Sequence, residues 1–356
     1  MKRVAYRLLG SILLVTAGWA SGVGGAADNE SLRGYAEKIS FGIGTTIQRR
    51  YWNQDAMFKP TLAREFNHAV SIVFMKFTQP ERGQYDLDSI DDDMRFARQH
   101  NMKLFGATLI YRNDTSPDWL HFNQFSCGGW SAADLDRIMK EHIHSVVRRG
   151  GDTYYAWEVV NEPLAPGENG CWSRILGQDE MIAKAFQYAH EANPKALLVL
   201  NDTFGQGGVD KERTDRFFAL IKRVQKLGGP INVAGCEMHL EAQQLRPNYI
   251  DEFKYFLEQA RTAGVQAQVT EMDVYQGPAG SVENPYAKQK EIFYNVLHTC
   301  LKDSNCTSFT VWGINDDLTW LRTHKGLLDA NPVLFDGAYK KKPAYYGVLE
   351  ALKEGR

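Results

Sequence analysis

The sequence predicts a single-domain α/β chain folded as a (β/α)8 barrel. Three observations carry this expectation. A short apolar run followed by an amphipathic stretch recurs about eight times, the signature of alternating strand and helix. The runs are spaced about 30 to 50 residues apart, which leaves room for one helix and one loop in each unit. After residue 28 no linker, low-complexity stretch or charge block divides the chain. Repeated β-then-α units in one uninterrupted chain close most simply into a barrel, whose chemistry gathers at the C-terminal ends of the strands. The rival is a doubly wound open sheet, and no Gly-rich phosphate loop follows the first strand to favour it.

The expected strands lie at 41–45, 69–75, 103–111, 155–161, 196–201, 233–239, 266–270 and 308–312. Two of the intervening helices are legible in detail. Leu135, Ile138, His142, Ile143 and Val146 recur on one helical face, with Ser131 and Asp134 forming a capping pair at its start. Phe253, Phe256, Leu257 and Ala260 repeat the pattern, and Gly264 is placed to end that helix.

The chain has 356 residues with 41 Lys+Arg against 43 Asp+Glu, a formal charge of −2. With 44% hydrophobic and 24% charged residues it can bury a full core, which excludes a disordered chain, a collagen-like fibre and a multi-span membrane protein. The near-neutral balance gives no electrostatic reason to expect nucleic acid or an anionic membrane as partner. Aromatics make up 12%, including eight Trp and sixteen Tyr, and flat rings lining a groove suit sugars.

Residues 1–27 are expected to form a signal peptide, leaving 28–356 as the folded domain. Lys2, Arg3 and Arg7 precede an apolar run of 13 residues at 8–20, and Gly25-Ala26-Ala27 offers a cleavage point before Asp28. That run is too short to span a bilayer, so the mature protein is expected to be secreted or periplasmic and free of the membrane. Cys300 and Cys306 close a short loop, a natural disulfide in an oxidising compartment. Cys127 and Cys171 both lie in Gly-rich loops and pair only if those loops meet, which the sequence leaves open. Cys236 is left over as a buried thiol. No His-x-x-x-His or Cys-x-x-Cys spacing occurs, so neither a metal nor another cofactor is expected.

The chemistry is sought in two carboxylates. Trp157-Glu158-Val159-Val160-Asn161-Glu162-Pro163 runs the fourth strand into an Asn-Glu pair and a proline, projecting Glu162 towards the barrel mouth. Val269-Thr270-Glu271-Met272-Asp273 does the equivalent on the seventh strand. Two carboxylates facing each other across such a mouth are what glycoside hydrolysis needs, one to protonate the leaving oxygen and one to attack or to activate water.

From about residue 41 to the C-terminus the sequence resembles the family 10 glycoside hydrolases, the endo-β-1,4-xylanase family. The resemblance is carried by 157–162, by Asn201-Asp202 after the fifth strand, and by Gly235-Cys236-Glu237-Met238-His239 on the sixth. It continues in Thr270-Glu271-Met272-Asp273, Trp312-Gly313-Ile314-Asn315-Asp316 with Trp320, Leu334-Phe335-Asp336 and Lys342-Pro343-Ala344-Tyr345. It implies a retaining double displacement with Glu162 as acid/base and Glu271 as nucleophile. Asn161 would bond the sugar 2-hydroxyl and His239 would orient Glu271. Trp312 would form the floor under the sugar with Trp320 as a second wall, and Lys76 would be the sugar-binding lysine after the second strand. The expected partner is a polysaccharide, xylan first, cut by a monomer.

Departures from the family pattern cluster on the glycone side. Ile72 and Val73, followed by Phe74, stand where the family carries Glu-Asn ahead of the lysine. Ala107, Tyr111 and Arg112 replace a histidine and a later Trp-His, and Glu237 replaces a glutamine. Each lost partner for a sugar hydroxyl costs about 0.5–1.5 kcal/mol. Either Tyr111, Arg112 and loop residues hold the glycone differently, or the sugar is another one. Ile72-Val73-Phe74 could equally be plain strand packing. The same chemistry on another β-linked polysaccharide or exopolysaccharide is therefore the second expectation, and a non-catalytic carbohydrate-binding barrel the third. Glu237 places a third carboxyl beside the pair. It is expected to be protonated, or neutralised by Arg112 or another cation, because like charges in proximity raise one pKa.

Overall fold

The computed structural model describes residues 30–165 and 170–356, so the expected signal peptide lies outside the described residues. Nine strands follow in chain order: β1 Gly42–Thr46, β2 His68–Ile72, β3 Lys103–Ala107, β4 Tyr154–Asn161, β5 Leu197–Asp202, β6 Val233–Cys236, β7 His239–Glu241, β8 Gln266–Tyr275 and β9 Cys306–Val311. Every ladder between them is parallel. β1 pairs with both β2 and β9, and β6 pairs with both β5 and β8, so the sheet closes on itself. The result is the expected barrel of eight staves, with β6 and β7 forming the sixth stave in two pieces along β8.

Parallel strands require crossovers, and the long helices Phe58–Glu65, Asp88–Gln99, Ala132–Gly150, Gln178–Ala192, Lys211–Lys226, Tyr249–Thr262 and Pro285–Lys302 supply them, while Pro343–Glu354 follows the last strand. The apolar face read in the sequence is buried, with Leu135, Ile138, His142, Ile143 and Val146 all turned inwards. Ser131 caps that helix, its Oγ accepting from Asp134 N–H at 3.1 Å, a contact worth about 1 kcal/mol. Gly264 closes Tyr249–Thr262 with a left-handed backbone at φ 72°.

Two apolar layers result. The larger lies between strands and helices, with Trp157, Phe186, Phe217 and Phe256 fully buried in it. The smaller is built only from strand residues: Val70, Phe105, Ala107, Ala156, Leu197, Val199 and Val233 fill the barrel interior, with Ile72, Tyr155 and Trp312 packed against them. Ile72 and Val73 divide accordingly, Ile72 against the interior and Val73 in the outer layer. The packing role considered for this stretch is therefore its structural role, although Phe74 stays half-buried.

Several strand limits differ from the sequence reading. β3 ends at Ala107 rather than near 111, yet the chain stays beside β4, with Leu109 and Ile110 N–H donating to Glu158 and Val159 carbonyls at 3.0 Å. β2 stops at Ile72 because a short helix, Met75–Thr78, follows directly. The sixth stave breaks at Glu237-Met238, where Met238 has φ 60°. β8 continues to Tyr275 because β7 gives its far half a partner: His239, Leu240 and Glu241 pair with Asp273, Val274 and Tyr275. Glu271 thus sits within a strand rather than at its end.

Cys300 and Cys306 are bonded as expected, and Cys127 and Cys171 also form a disulfide, so those two loops do meet. Cys236 is the buried free thiol. No helix among the described residues is long and apolar enough to cross a membrane.

Candidate active site

β4 delivers Asn161, and Glu162 follows it in a left-handed backbone conformation, φ 46°, that turns the chain off the strand. A non-glycine residue in that region costs about 1–3 kcal/mol, so something must hold it there. β5 does so: Glu162 N–H donates to the Asn201 carbonyl at 2.9 Å and Leu164 N–H to Asp202 Oδ2 at 3.1 Å. Asp202 is buried and paired with Arg213 at 2.7 Å. Burial pushes its carboxyl up to about 6, despite the pull of Arg213 in the other direction.

Asn201 is the centre of the site. Its Nδ2 donates to Asn161 Oδ1 at 3.0 Å, to Glu271 Oε1 at 2.9 Å and to Glu237 Oε1 at 3.4 Å, while Thr270 Oγ1 donates to its Oδ1 at 2.7 Å. The close approach depends on Gly235, where an added Cβ would stand 2.3 Å from Asn201 Oδ1. One amide therefore orients residues from β4 and β8 and from the break between β6 and β7.

On its other side Glu271 meets His239, whose Nε2 lies 3.2 Å from Glu271 Oε2 and whose Nδ1 lies 3.0 Å from Asp273 Oδ2. Trp320 Nε1 donates to that same Asp273 oxygen at 2.6 Å. Burial alone would lower the imidazole, but Asp273 and Glu271 outweigh it and hold His239 well above its ordinary value of 6.5. Burial raises the Glu271 carboxyl and His239 opposes that shift. Trp312 packs on the interior layer and meets the His239 ring edge-on at 6.4 Å, with Trp320 at 5.0 Å from the same ring. Glu237, His239 and Glu271 present donor atoms within 4.8 Å of one another.

Of the cations considered for Glu237, His239 is the one nearby, its Nε2 3.9 Å from Oε2. Arg112 lies on Glu162 instead, with Nη2 3.1 Å from Oε2. Glu237 is buried, and burial followed by repulsion from Glu271 and Glu162 holds its carboxyl well above the usual range, the protonated form. Arg112 also donates to the Tyr111 hydroxyl and lies over that ring at 4.5 Å. Burial, then the charge of Glu162, raises the Tyr111 phenol, which keeps its proton. Lys76 stands farther out, its Nζ donating to the Asp114 carbonyl at 2.8 Å.

Glu158 joins this group unforeseen. It is in register with Val199, an interior residue, and so faces into the barrel beneath the mouth. Burial and then Glu271 raise its carboxyl well above the usual range. The signal that could have found it was the carboxylate itself, three residues before Asn161 in an otherwise apolar strand.

The sequence profile described as Glycosyl hydrolase family 10 matches residues 31–351. The chain belongs to glycosyl hydrolase family 10. This family 10 enzyme is 30% identical over 354 residues to endo-1,4-beta-xylanase B of Thermotoga neapolitana, covering 97% of this chain and 98% of that one. It is 32% identical over 333 residues to exoglucanase XynX of Acetivibrio thermocellus, of which it spans 29%. Among solved structures, xylanase 10B of Thermotoga maritima superposes with a TM-score of 0.81 at 29% identity, covering 91% of this chain and 98% of that one. Xylanase 10B of Thermotoga petrophila, solved with xylobiose, has the same TM-score and identity and covers 91% and 97%. The protein is a glycoside hydrolase on a barrel shared with those enzymes.

Proposed function

We propose that this glycoside hydrolase is an exported, retaining endo-β-1,4-glycosidase acting on xylan. The observation that supports it best is Asn201, whose side-chain amide joins Asn161 and Glu271 while its main-chain carbonyl anchors Glu162. Glu162 protonates the glycosidic oxygen as Glu271 attacks the anomeric carbon, giving a covalent glycosyl-enzyme. Glu162 then takes a proton from water as that water displaces Glu271. Asn161 meets the 2-hydroxyl, where a hydrogen bond strengthens as positive charge develops on the sugar. His239, charged and backed by Asp273, orients Glu271 and stabilises it as a carboxylate. Xylan is supported as the substrate by the similarity to endo-1,4-beta-xylanases. Export is supported by the leader-like composition of 1–27 and by two disulfides in the fold.

A second reading keeps this chemistry on another β-linked polysaccharide. It is favoured by the apolar packing of Ile72 and Val73 where polar sugar ligands were expected. The test is product release from soluble xylan and a panel of other β-linked polysaccharides, with wild type and Glu271→Ala. Xylo-oligosaccharides from wild type and none from the variant are expected. Variant-sensitive cleavage confined to another polymer would move the substrate to the second reading. Silence across the panel would leave a binding barrel.

A further inference from the structure

We propose that the glycone side of this cleft is built for a negatively charged sugar chain, one carrying a uronic acid carboxylate. Arg112 reads that charge and, in doing so, releases Glu162. The inference rests on the retaining mechanism above and adds the chemical class of the glycone.

Where two polar sugar ligands were expected, Ile72 and Val73 are taken into apolar layers. What replaces them is aromatic and cationic. The Phe77 ring, 53% exposed, stacks on Phe74 at 5.9 Å, and Phe74 lies 6.3 Å from Tyr111, beside Glu162. A cation lies over each end of this strip: Lys76 Nζ is 5.2 Å from the Phe77 ring and Arg112 Cζ 4.5 Å from the Tyr111 ring. Relative to the family pattern, the glycone side has exchanged a carboxylate for an apolar residue and a histidine for an arginine. Both changes move its charge in the positive direction, while Ala107 removes a histidine and the added Glu237 is buried with its carboxyl held towards the neutral form. Rings offer stacking to any pyranose, whereas two cations along the strip favour an anionic one.

The position of Arg112 gives the second line of argument. Its side chain is 39% exposed at the mouth and its Nη2 sits 3.1 Å from Glu162 Oε2. A guanidinium only donates, so this contact occupies an oxygen of the carboxyl that has to face the leaving oxygen in the first step of the reaction. Arg112 therefore has to leave Glu162 before the leaving oxygen can be protonated. A sugar carboxylate gives the guanidinium a bidentate partner of the same charge as the one it leaves. Glu162 Oε2 is then free to face the glycosidic oxygen as its proton donor. A neutral glycone has nothing to draw the arginine away.

The test compares glucuronoxylan with the same polymer after carboxyl reduction, which changes charge and leaves the backbone alone. Carboxyl reduction is expected to lower the wild-type kcat/KM about ten- to a hundred-fold, the range of one charge-assisted hydrogen bond. In Arg112→Gln, and partly in Arg112→Lys, the ratio between the two polymers should fall towards one. Equal wild-type rates on both polymers, or an undiminished ratio in Arg112→Gln, would overturn the proposal. The wild-type comparison needs no variant to fold. If neither xylan is cut, a β-1,4-glucan with glucuronate branches is tested in the same paired form. Arg112-dependent preference there would keep the charge proposal while rejecting xylan. Absence of cleavage of every charged polymer would reject both.

Discussion

Glu237 and Glu271 lie on neighbouring staves and share one donor, the Asn201 amide, at 3.4 and 2.9 Å. Only Glu271 has the His239 imidazole within 3.2 Å, while Glu237 stands 3.9 Å from it. That difference favours Glu237 as the carboxyl that keeps its proton. Because a protonated carboxyl and a carboxamide have the same shape and charge, Glu237→Gln should retain kcat/KM within about tenfold near pH 6. Its alkaline limb should shift, since the variant cannot acquire the extra negative charge that Glu237 gains as pH rises. A complete loss with unchanged folding, in a pH–rate profile of both proteins, would show that Glu237 has a catalytic task. Glu162→Gln should lose about 10²–10⁴ in kcat, the usual share of general acid/base catalysis. The residues of the mouth were legible because Asn161-Glu162 and Thr270-Glu271 sit at the ends of apolar runs. Glu158 was not legible because strict alternation fails at this strand. The β4–β5 register slips between Glu158 and Val160, which lets Glu158 and Asn161 both face inwards although three residues apart.

At the scale of elements, all eight staves were legible from apolar runs, and their limits were not. β8 extends to Tyr275 only because β7 lies beside it, and a pairing partner is a tertiary fact that a single run cannot disclose. The break at Glu237-Met238 was hidden for the same reason, since a left-handed Met carries no compositional signal. The disulfides follow sequence separation more simply. Cys127–Cys171 closes a separation of 44 residues and Cys300–Cys306 one of 6. Loop-closure entropy then assigns about 4 kcal/mol to the first and about 2 kcal/mol to the second. Chemical denaturation of Cys127→Ala/Cys171→Ala and of Cys300→Ala/Cys306→Ala should show the larger loss for the first pair. The reverse order would mean that the long bridge is not confining the unfolded chain as supposed. The first pair should also raise KM more than it lowers kcat. It ties the loop after β3, in which Asn113 Oδ1 accepts from Cys171 N–H at 2.9 Å, beside Arg112.

For the molecule as a whole, buried titratable groups set how stability varies with pH. Burial lowers His68 to about 3 and His142 to about 4, so their contribution is lost as pH falls below about 6.5. Burial raises Asp93, Asp202 and Asp316 to about 6, so the stability they lend in protonated form is lost as pH rises to that value. Between about pH 4 and 6 these two sets oppose each other. Above about pH 6.5 the slope has one sign: Glu158, Glu237 and His239 all hold protons in the folded state that the unfolded chain has released. The thermal midpoint should therefore fall by several degrees from about pH 6.5 towards pH 8. Calorimetric scans across this range check it, and a midpoint still rising at pH 8 would contradict the assignment of protons to the barrel mouth.

The central claim is that Glu271 forms a covalent bond to the sugar while Glu162 handles the proton. Incubation with a 2-deoxy-2-fluoro-xylobioside bearing an activated leaving group, followed by peptide mass spectrometry, tests it directly. A disaccharide adduct on the peptide containing Glu271, absent in Glu271→Ala, is the predicted result. Turnover with inversion at the anomeric carbon, or an adduct on another carboxylate, would contradict it.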